Sequence, residues 1–146
     1  MAERIEGLRE EHLDACAEIL VATFNAEPWS DSWTFDTARR ELSWSTEVPG
    51  FVGSVFLDDQ VLGFATGYRE PDDRRDVFYL KTFCVRPDAQ GKGVGSRLLD
   101  QLTERLSAEG VNAIYLTTKR GTPAEAFYGK RGYKADEKTI VMTHEW

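Results

Sequence analysis

Three alternating glycines in the run Gln90-Gly-Lys-Gly-Val-Gly95 constrain this chain more than any other feature. Ahead of them lies the apolar stretch Val77-Phe-Tyr-Leu-Lys-Thr-Phe-Cys-Val85, closed by the turn Arg86-Pro-Asp-Ala89. Behind them Val94, Leu98, Leu102 and Leu106 recur at helical spacing. The order is strand, glycine-rich loop, helix. Such a loop can aim several bare backbone N–H groups at an anion held on a helix N-terminus, and a residue without Cβ lets that anion come close.

Two common anion loops fail on this sequence. A Walker loop requires Gly-Lys followed by Ser or Thr, and Lys92 is followed by Gly93. A dinucleotide fingerprint requires Gly-x-Gly-x-x-Gly on an early strand and an acid about twenty residues later. Here the pattern is Gly-x-Gly-x-Gly, late in the chain, and Val111 to Arg120 contains no acid.

Gln-x-x-Gly-x-Gly in this setting resembles the coenzyme A pyrophosphate loop of the GNAT superfamily of N-acetyltransferases, with Gln90, Gly93 and Gly95 at its fixed positions. A second segment, Ala124-Glu-Ala-Phe-Tyr128 followed by Gly132-Tyr133, resembles that family's Ala-x-x-Phe-Tyr-x-x-x-Gly-Tyr/Phe. The resemblance runs from about Leu8 to the C-terminus. It implies an α/β fold, the GNAT fold, with a mixed, mostly antiparallel sheet flanked by helices in a single domain over 1–146. It also implies acetyl-coenzyme A as co-substrate. Gln90, Gly91, Lys92, Gly93, Val94, Gly95 and Ser96 would then hold the pyrophosphate. Backbone groups of Phe83, Cys84 and Val85 would pair with the pantetheine amides, and an N–H there would steady the tetrahedral oxyanion. Tyr128 matches the tyrosine that protonates the departing thiolate. A phenol with a pKa of about 10 can give that proton without being ionised at neutral pH. An asparagine often found three residues before the alanine is Gly121 here, so its cofactor contact is either missing or supplied by Thr122.

The amine also needs a base, because an alkylamine of pKa about 10.4 is almost wholly protonated at neutral pH. Some relatives carry a glutamate on the strand before the loop, and this sequence has Lys81-Thr82 there. Glu70, Asp72, Asp76, Glu27 and Asp31 remain as candidate carboxylates, without a choice among them. Acceptor specificity in the family lies largely between the first two helices. Here that connection is Asn25-Ala-Glu-Pro-Trp-Ser-Asp-Ser-Trp33. Trp29 and Trp33 could stack on a ring or a cation with Glu27 and Asp31 holding ammonium groups and Glu70 as a further acceptor contact, or the tryptophans could close the core.

Charge supports a small cationic acceptor. Residues 77–134 hold ten Lys/Arg against five Asp/Glu, and the rest of the chain holds eight against twenty. The basic part suits a nucleotide phosphate and the acidic part attracts a cation. The net charge of −7 argues against nucleic acid. No apolar run approaches membrane-spanning length, and Met1-Ala-Glu-Arg4 lacks a signal peptide's apolar core, so a cytoplasmic protein is expected. Cys16 and Cys84 fall on apolar faces as buried thiols. His12 and His144 stand isolated, and no metal spacing is present. Many family members are dimers, so a homodimer is allowed for. Two alternatives stay open: a lysine or N-terminal protein acetyltransferase, and a non-catalytic acyl-coenzyme A sensor.

Periodicity predicts helices over 10–25, 34–45, 93–108 and 122–130. It predicts strands over 4–8, 51–57, 61–68, 77–85, 112–118 and 138–144, with Phe35, Ala38 and Leu42 inward on the second helix. Thr122, Pro123 and Glu125 have the form of a capping box.

Overall fold

The computed structural model describes residues 2–146. Two compact units divide the chain between Leu116 and Thr117. In the first, five strands form one sheet in the order β1-β2-β3-β4-β5: β1 (Arg4–Gly7), β2 (Phe51–Asp58), β3 (Gln60–Pro71), β4 (Asp76–Val85) and β5 (Ile114–Tyr115). The first three pairings are antiparallel and β4–β5 is parallel, giving the expected mixed, mostly antiparallel sheet.

Alternation along the strands sends side chains to two separate cores, one under each face. Helices α1 (Leu13–Phe24) and α2 (Phe35–Thr46) bury Cys16, Leu20, Ala38 and Leu42 with Val55, Phe64 and Cys84. Helix α3 (Val94–Ala108) places Val94 and Leu98 against Phe56, with Ile5, Leu62, Phe83 and Val85 packed alongside. A single 3-10 turn, Glu10–His12, precedes α1 and takes up the first residues of the expected helix. Thr34 caps α2, its hydroxyl accepting from the Thr37 N–H at 3.1 Å. Phe35, expected inward, is 41% exposed, because it opens the helix one turn before the buried row begins.

One irregularity matters for the site. Thr66 pairs with Thr82 and Gly67 with Leu80, which leaves Lys81 as the extra residue of a bulge in β4. A Cβ on Gly67 would lie 2.1 Å from the Tyr79 carbonyl oxygen, so only glycine fits opposite the bulge. Strand β5 is shorter than its alternation suggests, with two residues in the ladder.

The second unit contains helix α4 (Pro123–Lys130). The strand expected over 138–144 is not formed: Ile140, Val141 and Met142 are 75%, 77% and 84% exposed and lie in no ladder. An apolar pattern suits a strand but does not supply the partner that makes one. No helix among the described residues is long and apolar enough to cross a membrane.

Candidate active site

The glycine loop leaves β4 through a short 3-10 turn, Pro87–Ala89, and enters α3 at Gly93. Gly91 and Gly93 take φ values of +78° and +83°, in the left-handed region that side-chain-bearing residues avoid. Gly93 is the N-cap and has no side chain to cap with. The first turn of α3 carries no acidic residue, and the first helical bond runs from the Arg97 N–H to the Gly93 carbonyl. The N–H groups of Val94, Gly95 and Ser96 therefore precede the helix's own bonding at its positive end. A Cβ built on Gly91 or Gly93 meets nothing within 4 Å, so the space in front of the loop is open. Lys92 is exposed between them. This is a fit for a pyrophosphate.

Gln90 tightens the entry to this loop. Its side-chain amide donates to the Val85 carbonyl at 3.0 Å, and the Thr23 hydroxyl donates to the same oxygen at 3.4 Å. The β4–β5 ladder ends at Tyr79↔Tyr115, and β4 itself continues through Phe83 and Cys84 to Val85, where the glycine loop begins. Cys84 is 4% exposed, and burial pushes its thiol well above the usual range. Burial pushes the Cys16 thiol up to about 12. Neither is a thiolate at neutral pH. Arg97, a basic neighbour of the loop, turns away: it donates to Glu3 at 2.8 Å and stacks 4.7 Å above the Phe56 ring.

The connection between α1 and α2 is tied to itself. Asn25 donates to the Trp33 carbonyl at 2.8 Å and accepts from the Trp33 N–H at 2.9 Å. The Trp33 indole donates to Asp31 at 3.1 Å, and its ring packs on the α1–α2 core. Trp29 meets Phe24 edge-on at 5.4 Å. Both tryptophans therefore anchor the loop, Asp31 is partly engaged, and Glu27 is exposed.

Glu70 belongs to a different grouping. It accepts from the Tyr115 hydroxyl at 2.6 Å. Burial, then the Glu70 hydrogen bond, pushes that phenol up to about 12. Tyr115 begins a row of rings across the sheet, 4.9 Å to Tyr79 and 6.3 Å on to Tyr68, which Trp44 meets edge-on at 6.5 Å. Sequence reading missed this row and also missed Glu41, which faces Lys81 at 3.5 Å. A signal for the row existed: Tyr68 and Tyr79 sit at comparable places on consecutive strands. Glu41 had only its position between the inward residues Ala38 and Ser45.

In the second unit Thr122 caps α4. Its hydroxyl accepts from the Glu125 N–H at 3.3 Å and donates to the Lys119 carbonyl at 2.7 Å. The Glu125 carboxylate reaches back one residue further than a capping box requires, to the Gly121 N–H at 2.7 Å. Glu125 is thus structural, as expected, and Thr122 has both hydrogen-bonding roles of its hydroxyl in use. Tyr128 is half-buried on α4, with Phe127 at 5.5 Å and Tyr133 at 5.4 Å. His12, isolated in sequence, gathers with Glu6 and Glu11. Arg9 pairs with both carboxylates, and its backbone N–H donates to His12 Nδ1 at 2.9 Å. The neutral imidazole therefore carries its proton on Nε2, and the local cation is an arginine.

Among proteins of known type, an L-2,4-diaminobutyric acid acetyltransferase from Nocardia farcinica is 32% identical over 104 residues, 68% of this chain and 53% of that protein. A mycothiol acetyltransferase from Actinosynnema mirum is 28% identical over 128 residues, 84% of this chain and 42% of that protein. The chain spans about half the length of the curated relatives it matches. A transcriptional regulator from Bacillus halodurans C-125 has the same fold, with a TM-score of 0.80 at 19% identity over 98% of this chain and all of that one. The model of the acetyltransferase (GNAT) family matches residues 13–133, across the glycine loop and the Phe127-Tyr128 segment alike, and the chain belongs to that family.

Proposed function

We propose that residues 1–146 act as one acetyl-coenzyme A-dependent N-acetyltransferase domain whose acceptor is the primary amine of a small cationic molecule. The uncapped, acid-free N-terminus of α3 behind Gly91 and Gly93 carries this reading. It presents unpaired N–H groups where a polyanionic co-substrate needs them. Gln90, Lys92 and the N–H groups of Val94, Gly95 and Ser96 hold the pyrophosphate, and backbone groups of Phe83, Cys84 and Val85 take the pantetheine arm. The amine, once it has given up its ammonium proton to solvent, attacks the thioester carbonyl and forms the carbon–nitrogen bond. The carbon–sulfur bond breaks, Tyr128 gives the leaving thiolate its proton, and the proton lost from the new amide nitrogen passes through solvent and restores the phenol. Transfer is direct, since burial keeps Cys84 and Cys16 protonated and out of use as nucleophiles. The similarity to enzymes named for diaminobutyric acid and mycothiol acetylation, with the acidic balance outside 77–134, supports a small-molecule acceptor.

The test is thiol release from acetyl-coenzyme A against polyamines, amino acids including 2,4-diaminobutyrate, aminoglycosides and a lysine peptide. Release with a small amine is expected. Release with the peptide alone would make this a protein acetyltransferase. Acetyl-coenzyme A binding without release on any acceptor would leave a sensor. Tyr128→Phe is expected to lower turnover at least tenfold with co-substrate affinity near normal, and unchanged turnover would remove Tyr128 from the mechanism.

A further inference from the structure

We propose that Glu41 is the residue that receives the acceptor's ammonium group, and that Lys81 occupies this place until the acceptor arrives. The Glu41 side chain is 14% exposed. Its Oε1 accepts from the Ser45 hydroxyl at 3.2 Å and faces Lys81 Nζ at 3.5 Å. Its Oε2 is buried with no hydrogen-bond partner among the described residues. A carboxylate has room for about four donors, and leaving one of its oxygens dry and unpaired is costly in a folded chain. An ammonium group brings three N–H donors and a charge, which is what that oxygen lacks.

The surroundings favour a primary alkylammonium. Ser45 is fully buried and accepts in turn from the Tyr68 hydroxyl at 3.2 Å, so the carboxylate is oriented from behind by a fixed relay. Lys81 is itself an alkylammonium on a flexible stem, one-third exposed, and it projects from the β4 bulge. Its Nζ lies beyond good hydrogen-bond distance, a loose pairing that a better-placed donor can displace. Tyr68, the relay's end, also belongs to the ring row with Tyr79, and Trp44 stands 61% exposed beside it. Aromatic faces next to a carboxylate suit a cation with an apolar stem.

This assignment names the acceptor site of the proposed transferase, and a binding experiment separates the two. The full chain is titrated calorimetrically at pH 7 with 1,4-diaminobutane, n-butylamine and tetramethylammonium. The two amines are expected to bind and tetramethylammonium to bind at least tenfold more weakly, because it has no N–H for Oε2. Glu41→Gln is expected to weaken amine binding at least tenfold, and Lys81→Met to tighten it at least threefold by removing the internal competitor. An ion pair of purely structural value predicts no tightening on Lys81→Met. Amine binding absent from the wild type, unchanged in Glu41→Gln, or not tightened in Lys81→Met overturns the proposal, as does tetramethylammonium binding as well as the amines. Should Glu41→Gln fail to melt cooperatively, Lys81→Met decides alone. Amine binding that depends on Glu41 without thiol release from acetyl-coenzyme A would overturn the transferase reading and leave this one standing.

Discussion

At Gly93 the requirement for glycine is conformational, since a Cβ there would meet no neighbour and only the φ of +83° forbids it. Placing an ordinary L-residue in the left-handed region costs about 1–2 kcal/mol. Gly93→Ala is therefore expected to lower unfolding stability by about that amount in urea titrations, and to weaken acetyl-coenzyme A binding by turning the first N–H groups of α3 out of line. A loss of stability with co-substrate affinity intact would mean that the loop does not hold the pyrophosphate. Gly91 and Gly93 were legible in the sequence because their role is local: backbone freedom at fixed offsets between a strand and a helix. Glu41 was not legible, because its role comes from side chains that other elements bring to α2, Tyr68 from β3 and Lys81 from β4. Nothing in the order Arg40-Glu-Leu-Ser-Trp44 shows that Ser45 and Lys81 will converge on its carboxylate, with Tyr68 donating to Ser45 behind it.

Elements were readable where they carry their own signals. The first three helices announced themselves by apolar stripes, and α4 by its cap Thr122. The bulge at Lys81 had no such signature, since it exists only in the pairing of β4 with β3. The expected last strand failed for the same reason: Ile140, Val141 and Met142 have strand-like residue types and no ladder. The turn before α1 gives this scale its prediction. His12 is 6% exposed, with Glu6, Glu11 and Arg9 around it and Arg4 nearby. Burial, then the Arg9 charge, pulls its pKa below the usual histidine value, against the opposing pull of the two glutamates. The unfolded chain therefore takes up this proton first. The stabilisation is fully present above a pH of about 6.5 and is lost as pH falls through the unfolded and then the folded value. His12→Asn, which keeps a short polar side chain, is expected to flatten the fall of the urea midpoint between about pH 7 and pH 5. An unaltered slope would assign that fall to the carboxylates.

For the whole molecule the deciding quantity is how charge is divided along the chain. A net charge of −7 would repel a polyanion, yet the ten basic residues of 77–134 outnumber their acids two to one, and this segment contains the loop. Glu41 and Glu70, among the remaining acids, are the ones that the proposed acceptor site would set against a cation. Screening at physiological salt, with a Debye length of about 8 Å, leaves the charges next to a bound ligand, not the net charge of the chain, to decide what is attracted. Arg97 reduces the basic set that faces the anion, since its guanidinium is committed to Glu3 and Phe56. Lys92 is left as the loop's own cation. Raising sodium chloride from about 50 to 500 mM is expected to weaken acetyl-coenzyme A binding severalfold. In Lys92→Ala affinity at low salt should fall severalfold and the salt dependence should shrink with it. If Lys92→Ala instead weakens binding equally at every salt concentration, the lysine acts by shaping the loop, and the attraction arises from the α3 N-terminus alone.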